Sequence, residues 1–325
     1  MPMPALSPAL APWWRPDVPT VPTLSTVPAA GPSTGVPAVV RTAEAFRQAL
    51  EVARAGGATV GLVPTMGAMH AGHRSLIERA AAECEHVAVT IFVNPLQFSD
   101  PDDLDRYPRT FEADLEVCEA AGASTIFAPR VAELYPDWPD PPATRVTVAG
   151  LTELWEGASR PGHFDGVCTV VAALFALGGT CRAYFGQKDF QQLVVIRRMA
   201  ADLHLPVDVV ACPTVREPDG LALSSRNVRL SPPERAAATV LSRALAAARR
   251  AIAAGERRPA AVVAVMADVV AAEPLAWLDY AAAVDAADLS VPRSVQHPDE
   301  VRLLIAAEVG PVRLIDNCPA RTPDD

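Results

Sequence analysis

Two histidines stand three positions apart in a segment that also carries two glycines. The segment reads Met66-Gly-Ala-Met-His-Ala-Gly-His73, follows an apolar run and leads into a predicted helix. A helix N-terminus offers free N–H groups and a partial positive charge, both of which suit a phosphate. Two imidazoles at this spacing can point to one side of such a ligand and donate hydrogen bonds to it. The segment therefore predicts a nucleotide-phosphate site with His70 and His73 as its donors.

The same pair has two alternative interpretations. It can be a satisfied polar pair that caps the helix, or it can be half of a zinc site. Zinc needs a third protein ligand, and no cysteine or carboxylate stands at the spacing of the known metalloprotease motifs. Because so short a motif is common by chance, other segments must decide between these interpretations.

Three further segments carry groups that bind anions or hydroxy acids. Leu223-Ser-Ser-Arg226 combines two hydroxyls with a guanidinium, which together can grip a triphosphate. Gly186-Gln-Lys-Asp189 places Lys188 where a strand passes into a helix. Asn94-Pro-Leu-Gln97 puts two amides at the end of an apolar run. Taken singly, a solvated turn and an ordinary surface lysine explain the first two segments equally well.

The elements that must position these groups alternate between strand and helix. Strands are predicted at 37–40, 58–63, 87–93, 124–128, 183–186 and 206–211, and helices at 42–56, 73–84, 110–121, 166–177 and 190–203. The continuous apolar run at 87–93 suits a parallel strand that is covered on both faces. The order predicts an α/β fold with a doubly wound, Rossmann-like parallel sheet. Ligands bind beyond the carboxyl ends of such strands, so the four segments are expected to meet around one nucleotide.

The composition changes after about residue 214. Two alanine-rich helices, 231–255 and 259–272, precede two predicted strands, 277–284 and 301–309, which indicates a smaller α+β domain. We therefore expect a nucleotide-binding domain at 38–214, a C-terminal domain at 215–318 and a tail at 319–325. Residues 1–37 hold ten of the 32 prolines and are predicted to be a flexible extension.

Charge and cysteine content exclude several classes of protein. The chain has 28 Lys and Arg against 38 Asp and Glu, a net charge of −10, which disfavours binding to nucleic acid or to anionic membranes. No apolar run approaches the roughly 20 residues that a membrane span needs. The six cysteines form no CxxC pair, so we expect buried, reduced thiols in a cytoplasmic protein.

Taken together, the longer segments resemble the pantothenate synthetase (pantoate–β-alanine ligase) family of the HxGH nucleotidyltransferases. The resemblance runs from about residue 39 to 317 and rests on 64–73, 91–98, 107–110, 160–167, 185–192 and 214–227. It implies that ATP and Mg²⁺ activate pantoate as pantoyl-adenylate with release of pyrophosphate. β-Alanine then displaces AMP to give pantothenate. The resemblance also implies a homodimer.

The resemblance assigns roles to individual residues of this chain. The implied catalytic residues are His73, His70, Lys188 and Arg226. The implied ATP contacts are Met66, Gly67, Ala68, Met69, Ala71, Gly72, Gly186, Gln187, Asp189, Val215, Leu223, Ser224 and Ser225. The implied contacts to pantoate or β-alanine are Gln97, Gln192, Asn94 and Arg160. No metal ligands are assigned.

One position departs from the family, and two other functions remain alternatives. Gln187 stands where relatives commonly have glutamate beside the lysine. A different HxGH adenylyltransferase, which makes no amide, is one alternative, but Gln97 and Gln192 favour a hydroxy-acid pocket. A catalytically silent nucleotide-binding module is the other, although the chain keeps His70, His73 and Lys188.

Overall fold

The computed structural model describes residues 35–98 and 101–321 of the chain. Within these ranges the strands form a six-stranded parallel sheet and a separate three-stranded antiparallel sheet, each with its own helices. The predicted α/β class with a smaller α+β part is therefore confirmed. Most of the predicted extension at 1–37 and of the tail at 319–325 lies outside the described residues.

The six-stranded sheet has the order β1-β4-β3-β2-β5-β6, and all its neighbouring strands run parallel. After β1 at one edge, the chain adds β3 and β4 on one side of β2 and then β5 and β6 on the other, so the strand order reverses between β2 and β5. Ligands bind at such a reversal. The strands are β1 (Ala38–Val40), β2 (Val60–Thr65), β3 (His86–Ile91), β4 (Thr125–Phe127), β5 (Cys181–Gly186) and β6 (Val207–Cys212). The helices around it are α1 (Ala43–Ala55), α2 (Ala71–Glu83), α3 (Pro101–Asp105), α4 (Phe111–Ala120), α5 (Val131–Leu134), α6 (Glu156–Ser159), α7 (His163–Gly178) and α8 (Phe190–Asp202).

Both faces of this sheet are covered by helices. Along β2, Leu62 belongs to the core shared with α1, α7 and α8, whereas its neighbour Val63 belongs to the core shared with α2 and α4. Ala88 and Val89 on β3 divide in the same way. Successive side chains of a strand point to opposite faces, so strands buried on both faces need continuous apolar runs.

The C-terminal sheet has the order β7-β8-β9 and is antiparallel. Its helices pack their alanine- and valine-rich faces against it in a core of their own. The elements are α9 (Pro232–Ala237), α10 (Val240–Ala253), α11 (Pro259–Ala271), β7 (Ala276–Asp285), β8 (Val301–Val309) and β9 (Val312–Pro319). The boundary near residue 214 stays a prediction.

Two predictions for this C-terminal part were wrong. The single helix at 231–255 is two helices, because the Thr239 hydroxyl donates to the Ala236 carbonyl and the chain turns at 238–239. The two predicted strands are three, and the missed strand is β9. Asp316 and Asn317 are buried within β9. These polar residues interrupt the alternation of apolar and polar residues by which a strand is recognised in a sequence.

No helix within 35–98 and 101–321 combines the length and the apolar character that crossing a bilayer requires.

Candidate active site

The histidine segment leaves the carboxyl end of β2 and turns sharply before α2. Gly67 and Ala68 both have positive φ, of +80° and +50°. The carboxylate of Asp114, on α4, accepts hydrogen bonds from the backbone N–H of Ala68 at 3.1 Å and of Met69 at 2.8 Å. Asp114 is only 2% exposed. A buried carboxylate from another helix therefore fixes the loop in this conformation.

The two imidazoles cap α2 and still face the cavity. Nδ1 of His70 accepts from the Gly72 N–H at 3.1 Å, and Nδ1 of His73 accepts from the His70 N–H at 3.4 Å. With both Nδ1 atoms accepting, each neutral ring carries its proton on Nε2. The ring centres lie 4.2 Å apart, and both rings line one cavity. The capping interpretation and the donor interpretation are thus compatible.

Both histidines are neutral at physiological pH. Burial, assisted by the charge of neighbouring Lys188, lowers the pKa of His70. Burial and the adjacent His70 lower the pKa of His73 to about 3. A neutral imidazole can still donate one hydrogen bond to a phosphate oxygen, and the lysine and arginine side chains nearby can supply the charge.

Lys188 lies in a 3-10 turn, Gln187–Asp189, between β5 and α8. Its ammonium lies 3.5 Å from the Asp189 carboxylate, and its side chain is mostly buried whereas that of Asp189 is half exposed in the cleft. Although burial opposes ionisation of Asp189, Lys188 and Arg226 lower its pKa. The turn therefore presents a paired cation and anion at the carboxyl end of β5.

The segment at 223–226 forms the start of a second 3-10 turn. Ser224 accepts from the Arg226 N–H at 3.3 Å, which orders the turn. The guanidinium groups of Arg226 and Arg229 both contact the Asp103 carboxylate, at 3.3 and 3.2 Å. Two arginines thus converge on one carboxylate, and two guanidinium groups placed together can also bind a polyphosphate.

Gln97 is held by a set of buried polar groups. Asn94 Nδ2 donates to Gln97 Oε1 at 3.0 Å, and a His163 ring nitrogen bonds the Gln97 carbonyl at 2.8 Å. Arg160 reaches the same carbonyl at 3.3 Å. A Cβ on Gly166 would lie 2.3 Å from the Leu96 carbonyl, so α7 can approach this turn only with glycine there. The amide of Gln97 is thereby aimed with little freedom.

Two adjoining cavities occupy the carboxyl ends of the strands. One, of about 200 Å³, is lined by His70, His73, Gln97 and Val215 among others. The other, of about 300 Å³, extends toward the C-terminal sheet and is lined by Glu156, Tyr280 and Asn317 among others. Residues common to both walls are Arg160, His163, Lys188, Asp189, Gln192, Ser224 and Arg226.

The structure brings most of the residues singled out in the sequence to the smaller cavity. Its walls include Met66, His70, Gly72, His73, Gln97, Arg160, Gly186, Lys188, Asp189, Gln192, Val215, Leu223, Ser224, Ser225 and Arg226. Six others line neither cavity: Gly67, Ala68, Met69, Ala71, Gln187 and Asn94. Asn94, which is 1% exposed, lies behind Gln97 instead of in the cavity wall.

A model of the family described as pantoate-beta-alanine ligase matches residues 38–319. The chain belongs to the pantoate–β-alanine ligase family. The pantothenate synthetase of Roseiflexus sp. (strain RS-1) is 54% identical over 260 residues, 80% of this chain and 92% of the relative. That of Cereibacter sphaeroides (strain ATCC 17029 / ATH 2.4.9) is 50% identical over 286 residues, 87% of this chain and all of the relative.

Solved structures agree with this membership. The crystal structure of pantothenate synthetase from Thermus thermophilus has a TM-score of 0.81 and 46% identity, covering 88% of this chain and 100% of that one. The pantoate-beta-alanine ligase of Francisella tularensis, complexed with beta-gamma ATP and beta-alanine, has a TM-score of 0.70 and 29% identity, covering 89% and 100%. As a pantoate–β-alanine ligase, this chain is a carbon–nitrogen bond-forming enzyme.

Several groups at the cavities of this ligase were missed by sequence reasoning. His163 is among them, and burial together with the Arg160 charge lowers its pKa to about 4. Arg160-Pro-Gly-His163 was part of the resemblance, so the segment was visible although the role of its histidine was not. Five more line the larger cavity, and nothing in their local sequence distinguishes them from surface or core residues: Asp103, Glu156, Arg229, Arg313 and Asn317. Tyr107 lines the smaller cavity, and its segment 107–110 was part of the resemblance although no role was assigned to it. Asp114 lies in neither wall and acts on the histidine loop from α4.

An ion-pair cluster joins helix α6 to the C-terminal sheet of the ligase beside the larger cavity. Arg313, on β9, donates to Glu156 at 2.8 Å and to Asp279 at 2.7 Å. Glu156 is buried and lies 3.6 Å from Arg160. The wall of the cavity therefore depends on charges from both parts of the chain.

Proposed function

We propose that this chain makes pantothenate in two steps, with the residues of the smaller cavity acting on ATP. The family gives the overall reaction, an ATP-dependent condensation of pantoate with β-alanine. One observation supports the residue assignment: His70, His73, Lys188 and Arg226 line the same cavity as Gln97 and Gln192. The side chains that would donate hydrogen bonds to phosphate and the amides that would bind the hydroxy acid therefore line one cavity.

In the first step a carboxylate oxygen of pantoate attacks the α-phosphorus of ATP. The bond between that phosphorus and the bridging oxygen breaks, and pyrophosphate leaves. Negative charge grows on the phosphate oxygens in the transition state, so fixed donors aimed there lower the barrier. We assign Nε2–H of His73 and His70, the Lys188 ammonium and the Arg226 guanidinium to those oxygens. None of them needs to give up its proton.

In the second step the amine of β-alanine attacks the carbonyl carbon of pantoyl-adenylate. The bond from that carbon to the phosphate oxygen breaks, AMP leaves, and the amine loses a proton to solvent. Gln97 and Gln192 read the hydroxyls and carboxylate of pantoate, and the cation of Arg160 suits a substrate carboxylate. Asn94 acts through Gln97, whose amide it holds.

Adenine, ribose and phosphates have separate candidate contacts. The backbone around Val215 faces the base or ribose, and the loop from Met66 to Gly72 faces the phosphates at the N-terminus of α2. Gly67, Ala68, Met69 and Ala71 shape this loop, while Gly186, Gln187 and Asp189 shape the lysine turn. Leu223, Ser224 and Ser225 complete the phosphate side.

Magnesium enters with ATP as part of the substrate. Among the described residues, no three histidine, cysteine or carboxylate side chains are grouped to hold a metal ion. Mg²⁺ commonly binds through substrate phosphates with one or two carboxylates, and we assign Asp189, half exposed beside Lys188, to that role. Bound there, the ion would neutralise charge on the phosphates.

An exchange assay tests the function. We expect ³²P from pyrophosphate to enter ATP only when pantoate is present, because pyrophosphate adds back to the adenylate without β-alanine. Adding β-alanine should then produce AMP and pantothenate in equal amounts. Exchange that is independent of pantoate would indicate another adenylyltransferase, and its complete absence would indicate a silent nucleotide-binding module.

The remaining features are proposals of the same kind. The chain is a homodimer, as the family resemblance implies, and its cysteine content favours a location in the cytoplasm. It binds no nucleic acid because its net charge is −10. Sedimentation at several protein concentrations tests the dimer, and an unchanging monomer mass would contradict it.

A further inference from the structure

The turn that carries Lys188 is held from the C-terminal sheet. Two of its backbone carbonyls, those of Gln187 and Lys188, accept hydrogen bonds from Nδ2 of Asn317 at 3.0 and 2.7 Å. Asn317 lies on β9, 3% exposed, some 130 residues along the chain from the lysine. Both hydrogens of one amide are therefore committed to the backbone of the catalytic turn.

The orientation of the Asn317 amide is fixed from its other side. Its Oδ1 accepts from Nε of Arg302 at 2.8 Å. The Arg302 guanidinium also lies over the ring of Phe190, 4.3 Å from its centroid. Phe190 is the first residue of α8 and directly follows the turn. Arg302 and Asn317 thus contact the turn and the start of its helix together.

The same strand also holds the start of the phosphate segment. Asp316 makes a two-pronged ion pair with Arg216, at 2.7 and 2.8 Å. Arg216 donates further to the Asn317 carbonyl at 3.2 Å and to the Gly220 carbonyl at 2.9 Å. The backbone of Arg216 also forms an isolated antiparallel β-bridge with Ala222, which immediately precedes the segment that carries Arg226. Neighbouring residues of β9 therefore fix the lysine turn and the arginine segment relative to each other.

We propose that Asn317 is a positioning residue for adenylation, acting through Lys188. This inference depends on the proposed function, in which Lys188 and Arg226 act on the same phosphates. Groups that stabilise a transition state must be in place before the reaction, and a displacement of about 1 Å can cost on the order of 100-fold in rate. Asn317 holds the lysine turn in place, because its Nδ2 donates to the turn and its Oδ1 accepts from Arg302.

The test is Asn317→Asp, which keeps the shape and the acceptor for Arg302 but removes both donors. We expect single-turnover formation of pantoyl-adenylate to fall on the order of 10- to 100-fold. The KM values for ATP and pantoate should change little. Aminolysis of pantoyl-adenylate supplied to the enzyme should change much less than adenylation. Asn317→Ala, which removes the donors without adding a charge, should show the same selectivity for the first step.

Two controls separate positioning from mere stability. Val312→Ala shortens another buried side chain of β9, and it should lower the unfolding temperature without a selective loss of adenylation. In a Lys188→Ala background, Asn317→Asp should add little further loss, because its effect passes through the lysine.

The outcomes are distinguishable. Equal loss in both half-reactions, or full additivity with Lys188→Ala, would overturn the positioning role. Absence of pantoate-dependent exchange in the unsubstituted enzyme would instead overturn the proposed function, and the inference with it.

Discussion

At the scale of single residues, the site combines neutral hydrogen-bond donors with charged ones. His70 and His73 have lowered pKa values and donate as neutral rings, whereas Lys188 and Arg226 supply an ammonium and a guanidinium. A site built this way needs no proton transfer to pyrophosphate. Its rate should therefore depend on the placement of donors and little on their titration.

Removing either kind of donor should slow the first step. We expect His73→Ala and Lys188→Ala each to reduce pantoate-dependent exchange on the order of 100-fold or more, because each removes a transition-state hydrogen bond. Arg198→Ala is a matched control, since Arg198 is an exposed cation on α8 that pairs with Asp202. The circular dichroism spectrum should be unchanged in all three. Normal exchange in His73→Ala or Lys188→Ala would remove that residue from the catalytic assignment.

The neutral state of His73 also predicts how stability varies with pH. The pKa of its ring is near 6.5 when unfolded and about 3 when folded, so the unfolded chain binds the extra proton between these values. His73 therefore lowers stability as pH falls below about 6.5, by up to about 2 kcal/mol at pH 5. Denaturant unfolding at pH 7 and pH 5 measures this loss, which should be smaller in His73→Gln. An identical loss in both proteins would mean that the folded ring titrates normally.

At the scale of elements, the loop between β2 and α2 depends on a contact with α4. Gly67 has φ of +80°, and a Cβ there would lie 2.7 Å from the Asp114 carboxylate that holds the loop. Gly57, after α1, has φ of +88° with open space around it. The two glycines share backbone strain and differ in what surrounds them.

The pair of glycines makes a matched test of this loop. Gly57→Ala should lose about 1 kcal/mol of unfolding free energy, the usual cost of a positive φ. Gly67→Ala should lose more, at least about 2 kcal/mol, and should also slow adenylation, because Asp114 must move. Chemical unfolding and the exchange assay measure the two effects. Equal losses with full activity would show that the Asp114 contact does not shape the site.

The sequence predicted the elements that a pattern within one segment specifies. It did not predict contacts between residues that lie far apart along the chain. The continuous run at 87–93 indicated the parallel sheet correctly, and the glycine-flanked histidines lie at the carboxyl end of β2. Asp114 resembled any acidic residue on a surface helix, because its partners Ala68 and Met69 lie some 45 residues earlier. Asn317 and Asp316 interrupted the apolar pattern of β9, so the residues that hold the lysine turn and Arg216 also concealed the strand.

At the scale of the whole molecule, the cavities need residues from nearly the entire family match. The histidine loop begins at residue 66, the lysine turn lies near the middle, and Arg313 and Asn317 come from the last strand. The Arg313–Glu156 ion pair joins β9 to helix α6 of the N-terminal part. We expect no half of the chain to retain adenylation.

The proline-rich start of the chain is expected to be dispensable. The family match begins at residue 38, and the described cavity residues begin at Pro64. A chain that starts at residue 35 should therefore keep kcat for pantothenate formation within about twofold, since it retains the whole family match and every residue assigned to the site. Steady-state kinetics with a melting curve compares the two lengths. A large loss of rate or stability would assign the extension a structural role.

The arrangement of the thiols has a practical consequence. All six cysteines are free, five are buried, and none lines either cavity. Burial raises the pKa of Cys118, Cys168, Cys181 and Cys318 to about 12, so little thiolate exists at neutral pH. Alkylating reagents should react with the folded protein slowly and with the unfolded chain quickly. An inhibitor with a thiol-reactive group would find no cysteine in the wall of either cavity. The rate of reaction with iodoacetamide can instead report how strongly a bound substrate keeps the protein folded.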